Sequence, residues 1–121
     1  MMNTLDLFRN EDNLLEYKKG DVIFREGDAA ESMYIIKEGK VEIRAAGKSI
    51  ITADTGEIFG EMALIDESPR SAMARAATDC TLIPIDQRRF NFMVQQTPFF
   101  SLYVMRILVE RIRKLNEKMS C

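Results

Sequence analysis

A chain of 121 residues, 46% apolar and 30% charged, suits one globular domain that can fold without metal or disulfides. A net charge of −2 with no basic run offers no footprint for nucleic acid. The absence of histidine leaves no His-based triad and no zinc or iron site of the usual ligand types.

The start, "MMNTLDLFRNED", has neither a cationic end nor an apolar signal core. No window approaches the roughly 18 apolar residues of a membrane span. A cytoplasmic protein without membrane contact is expected. Residues 3–13, with Leu5, Leu7 and Phe8, predict a short helix or turn. From Leu14 the pattern changes to short runs of Val, Ile, Tyr and Phe, and all six glycines fall between them. Such spacing predicts an antiparallel roll or sandwich over about 14–86. Lys40 to Arg44 alternates as a half-buried strand should. "AAGKS" (45–49) reads as a hairpin tip, and 72–77 and 80–85 as two further strands.

Cys80 sits in the apolar run "CTLIPI" and reads as core, whereas the terminal Cys121 is expected to be mobile. Asp86 then suits a helix N-cap, with Phe90, Met93 and Val94 as the apolar face. Pro98 ends or bends that helix. The run that follows has no Gly or Pro. In it Met105, Leu108, Ile112, Leu115 and Met119 form an a/d seam, and Phe100, Val104 and Ile107 a second apolar set. Two faces allow packing on the domain and on a partner at once; one wide core stripe is the alternative.

The stretch "FGEMALIDESPRSA" (59–72) carries the chemistry. Phe59 closes a strand, and Gly60 permits close backbone approach. Good helix formers then predict a helical turn from Glu61, with the N–H groups of Met62, Ala63 and Leu64 turned outward. Pro69 stiffens the return, Arg70 offers a planar bidentate donor to an anion, and Ser71 adds a hydroxyl. Glu61 only accepts hydrogen bonds and suits a diol. A ribose bearing one phosphate fits this set. The competing reading is a plain Glu61–Arg70 ion pair across the loop.

Phe59-Gly60-Glu61-Met62-Ala63-Leu64 and Arg70-Ser71-Ala72 resemble the phosphate-binding cassette of cyclic nucleotide-binding domains. "KKGDVIFREGDAAESMYIIKEGKVEI" is similar to the opening strands of that family, in its catabolite-activator and kinase-regulatory-subunit types. The resemblance runs from Leu14 to Met119. It implies a mainly β fold: an antiparallel β-roll, jelly-roll-like, with an N-terminal helix and C-terminal helices over about 87–119. The expected domain is single, 1–121, with its cassette at 59–72.

By that resemblance Glu61, helped by the Gly60 backbone, accepts from the ribose 2′-hydroxyl. Arg70, Ser71 and the N–H groups of Ala63 and Leu64 hold the cyclic phosphate. Asn116 or Arg111 is the candidate contact to the base, and Leu115 stands where catabolite activators offer a hydroxyl. The resemblance implies a non-enzymatic sensor of cyclic AMP, or of cyclic GMP, with no further cofactor. It dimerises through 99–119 and moves its last helix on binding. No helix-turn-helix, kinase or channel segment follows, so an effector partner or a longer parent protein is expected. The rivals are a nucleotide-independent interaction domain, a fragment of a Crp/Fnr-like transcription regulator, and a cupin-like enzyme, against which the lack of histidine argues.

Overall fold

The computed structural model describes residues 4–119. Cys121 lies outside the described residues, as does the side chain of Met119, so the seam is followed to Leu115. A 3-10 turn at Thr4–Phe8 is followed by β1 (Leu15–Tyr17), β2 (Val22–Phe24), β3 (Ser32–Glu38), β4 (Val41–Ala45), β5 (Lys48–Ala53) and β6 (Ile58–Phe59). Then come α1 (Glu61–Asp66), β7 (Met73–Ala76), β8 (Cys80–Asp86), α2 (Gln87–Gln96) and α3 (Pro98–Met119). The strands form two antiparallel four-stranded sheets, ordered β1-β8-β3-β6 and β2-β7-β4-β5.

The first sheet is the middle layer, and side-chain alternation explains the unbroken apolar runs at its centre, residues 33–36 of β3 and 82–85 of β8. Met33, Ile35, Ile83 and Ile85 point to a core shared with Phe90, Met93, Phe100, Val104 and Ile107 of the helices. Ile36, Cys80 and Leu82 point the other way, to a core shared with Val41, Ala53, Ala74 and Ala76 of the second sheet. A strand covered on both faces has no place for a polar alternate. Pro84 is tolerated in β8 because β1 pairs only as far as Leu82, while Tyr34 of β3 lies opposite the proline.

The tip at 45–49 is a two-residue hairpin. Ala45 pairs with Lys48, and Ala46 and Gly47 both take positive φ, 52° and 76°. That is the geometry that matches the twist of the flanking strands. Asp86 caps α2, accepting from Arg89 N at 2.8 Å. Phe90 and Met93 are buried, but Val94 is 40% exposed and leaves the predicted apolar face. Its place at the core is taken by α3, which Pro98 starts. In α3 the second apolar set is the one that docks: Phe100, Val104 and Ile107 are all buried. Of the predicted seam, Leu108 packs partly against that same core, whereas Met105, Ile112 and Leu115 are exposed.

Candidate functional site

The loop between β6 and β7 is built around a buried arginine. Gly60 is the N-cap of α1 at φ 78°, a conformation that costs a side chain dearly. Space there is closed as well, because a Cβ at Gly60 would lie 2.8 Å from Arg70 Nη1. Arg70 is only 5% exposed. Its Nη1 donates to Gly60 O at 2.8 Å, and its Nη2 donates to Ser32 O. The guanidinium lies 4.0 Å from the centroid of the Phe24 ring, which stacks with Tyr34 and tilts against Phe59. The buried Nε has no hydrogen-bond partner. The backbone at Arg70 is fixed too: its N–H donates to Asp28 O at 2.9 Å, and its carbonyl accepts from Gly27 N at 2.7 Å. Burial lowers the pKa of Arg70, opposed by neighbouring Tyr34, Glu61 and Asp28. An arginine nonetheless stays charged, so the site holds a fixed cation in a largely apolar wall.

Glu61 does not pair with Arg70. It is 2% exposed, and its Oε1 accepts from Arg111 Nη1 of α3 at 2.9 Å. Arg111 Nη2 donates to Ile58 O in β6. The Glu61–Arg70 ion pair of the competing reading is therefore replaced by a contact fifty residues away in sequence. Arg111 is not a solvated helix cation either.

Between these groups lies a cavity of about 500 Å³, within the range of small-molecule sites. Its floor is the cassette: Phe59, Gly60, Glu61, Met62, Ala63, Arg70, Ser71 and Ala72. One wall is Phe24 with Ile43, Ala45, Ile50 and Ile51 of the second sheet. The other is α3, through Leu108, Arg111, Ile112 and Leu115. The helix lies along the cavity.

Nine of the sequence-predicted site residues thus meet around one space. Leu64 does not line it; its side chain belongs to the core beneath. Asn116 is exposed and lies outside this wall. The resemblance implies a base against the roll strands and the last helix, but sequence reasoning singled out neither Phe24 nor the β4–β5 hairpin as the walls. The signal was available for the hairpin, since Ile43 and Ile51 are directly paired and so share one face. The place of Phe24 under Arg70 depends on the pairing of β2 with β7, which local sequence does not encode. Among the described residues no group of three or more His, Cys, Asp or Glu is placed to hold a metal ion. No described helix is long and apolar enough to cross a membrane.

The site thus combines a roll of two antiparallel sheets, a six-residue helix behind a left-handed glycine, and a buried arginine facing a cavity of small-molecule size. The family model for the cyclic nucleotide-binding domain matches residues 14–97, and the chain belongs to that family. It is 29% identical over 104 residues to the potassium/sodium hyperpolarization-activated cyclic nucleotide-gated channel 3 of Mus musculus, covering 86% of this chain and 13% of the channel. It is 41% identical over 82 residues to the cAMP-dependent protein kinase regulatory subunit of Eremothecium gossypii, covering 65% of this chain and 18% of that subunit. In structure it resembles the catabolite activator protein of Thermus thermophilus, with a TM-score of 0.80 and 28% identity over 96% of this chain and 57% of that one. The chain therefore spans between about an eighth and three fifths of these relatives.

Proposed function

We propose that this domain is a cyclic AMP sensor that binds the nucleotide in the roll cavity and signals through α3. The observation that carries the reading is Arg70: a buried cation with an unpartnered Nε beside a cavity of about 500 Å³. Burying a guanidinium this way is expensive unless an anion arrives to use it. Glu61, on the same floor, provides the acceptor for a ribose hydroxyl, and Ser71 a further donor for the phosphate. The N–H groups of Ala63 and Leu64 complete the phosphate set. The apolar walls from the hairpin and α3 suit a purine. Similarity to a cyclic nucleotide-gated channel and to a cAMP-dependent kinase subunit supports a cyclic nucleotide as ligand.

The role is regulatory and not catalytic, the site needs no cofactor, and the setting is cytoplasmic. The output reaches an effector protein through α3 and through a homodimer formed by the same helix. The dimer seam is shifted from the one read in the sequence, because Leu108 is partly spent on the domain's own core. The exposed apolar residues Leu102, Met105, Val109 and Ile112 repeat at intervals of three, four and three, which again is an a/d pattern. Asn116 continues that row one step on, where a polar residue sets register between paired helices.

A second reading has an observation in its favour. Arg70 and Glu61 are both engaged inside the chain, by Gly60, Ser32 and Arg111. A domain that kept the roll for protein contact and bound no nucleotide would look the same. Calorimetric titration with cyclic AMP and cyclic GMP decides. Saturable one-site binding supports the sensor, and no heat with either nucleotide overturns it.

A further inference from the structure

The side chains that line the cavity are sorted by kind. Glu61, Asp66, Arg70 and Ser71 all belong to the cassette loop, and among the described residues Arg111 is the one polar lining side chain outside it. Arg111 turns to the same floor, donating to Glu61 Oε1 and to Ile58 O. Beyond the floor both walls are aliphatic. Ile43 and Ile51 are cross-strand partners on the hairpin, with Ala45 and Ile50 beside them. Leu108, Ile112 and Leu115 line the α3 side. Ile112 and Leu115 are 57% and 41% exposed, and Met62 and Ile65 of α1, which also line the cavity, are 55% and 51% exposed. The aliphatic lining therefore borders solvent.

Contacts between a flat ring and aliphatic side chains are non-directional. They respond to the area of the ring and not to where it carries donors and acceptors. A site built to hydrogen-bond a polar group rejects the analogue that lacks it, whereas an apolar pocket separates analogues of like size only weakly. Because the aliphatic lining borders solvent, the polar edge of a base can stay hydrated and is not buried unpaired. We propose that this site does not read the base. It selects the cyclic phosphate and the ribose through the cassette, and it takes adenine, guanine and pyrimidine rings on apolar contact. The ligand class is then the 3′,5′-cyclic mononucleotides as a group, cyclic AMP among them, ranked by ring size. The inference rests on the nucleotide reading of the cavity.

The test is calorimetric titration of the parent and of Leu115→Ala with cyclic AMP, cyclic GMP and cyclic UMP. In the parent the two purine ligands should bind within about threefold of each other, and cyclic UMP more weakly, because its single ring covers less of the walls. Leu115→Ala should weaken both purines by the same factor. A preference for either purine of about tenfold or more overturns the inference. It would put a polar group on the ring edge, from Arg111, Asn116 or the backbone of the edge strand β5. Unchanged affinity for both purines in Leu115→Ala also overturns it, since the ring would then lie off the aliphatic walls. So does a parent that binds both purines and no cyclic UMP. Each of these results leaves the nucleotide reading standing. A parent that binds none of the three ligands overturns that reading and the inference with it.

Discussion

Gly60 and Arg70 fit each other within an atom's width: the glycine carbonyl accepts from Arg70 Nη1 at 2.8 Å, and a Cβ on the glycine would stand 2.8 Å from the same nitrogen. One residue thus needs both a left-handed backbone and the absence of a side chain. Gly60→Ala should destabilise the domain by about 1–2 kcal/mol from the backbone alone, with a further loss as Arg70 is pushed off its carbonyls. Urea unfolding measures the first effect. Nucleotide titration measures the second, and a variant as stable and as tight-binding as the parent would contradict both.

Arg70→Ala should weaken cyclic AMP binding by about 2–4 kcal/mol, because a charged contact is lost from a buried site. Arg70→Lys should recover only part of that, since an ammonium cannot span Gly60 O and Ser32 O as a planar fork does. Calorimetry on the three proteins checks the order.

Phe24 carries the face on which Arg70 lies. Phe24→Leu keeps the apolar volume but removes the ring, and should cost about 0.5–2 kcal/mol of stability as the cation–π contact is lost. The double variant with Arg70→Ala should lose no more than Arg70→Ala and a simple packing change together. Full additivity of the two single losses would show that the ring and the guanidinium are not coupled.

Assembly separates two leucine-like positions on α3. Ile112→Glu places charge on the exposed row and should give a folded monomer where the parent is a dimer by light scattering. Leu108→Glu should instead lower the melting temperature, because Leu108 packs on the core beside Ile107. A parent that is monomeric with and without nucleotide would remove the dimer from the account.

Glu11 and Arg89 pair at 2.6 Å, and the hydrogen bond from Arg89 holds the Glu11 carboxyl below its ordinary value. A carboxylate lowered in the folded state adds stability above its unfolded pKa, about 4.3, and that stability is lost as pH falls through the lower folded value. Arg89→Gln should therefore be less stable than the parent at neutral pH. The gap should narrow as pH falls below the ordinary carboxylate range and close once it passes the lowered value of Glu11. A gap independent of pH would mean that Arg89 acts only through its place over Phe8.

The cassette could be read from sequence because its chemistry is local. Gly60, Glu61, Arg70 and Ser71 lie within a dozen positions, and the turn between them is set by residue type. The hairpin at 45–49 and the Asp86 cap were legible for the same reason. The partner of Glu61 was not. Glu61 and Arg111 meet only because Phe100, Val104 and Ile107 dock α3 on the first sheet, and that angle is a property of the whole core. The two apolar sets of α3 were visible in the spacing, but not which of them faced inward. A helix pattern specifies faces and leaves their assignment to tertiary packing. Leu108, lying between the two sets, was assigned to the outer one and packs against the inner.

Tyr103 donates from its hydroxyl to Gly56 O, upstream of the cavity on the same helix that carries Arg111. With Phe100 and Val104 buried beside it, the first turns of α3 form a fulcrum. Beyond Leu108 the helix is an arm, touching the roll chiefly along the edge of the cavity. From Ile107 to the helix end the arm is roughly 18 Å long at 1.5 Å per residue. A tilt of about 10° about that fulcrum moves the free end by roughly 3 Å over the same 18 Å. The lengths imply leverage: any displacement of atomic size at the carboxylate would be magnified at the far end of the helix.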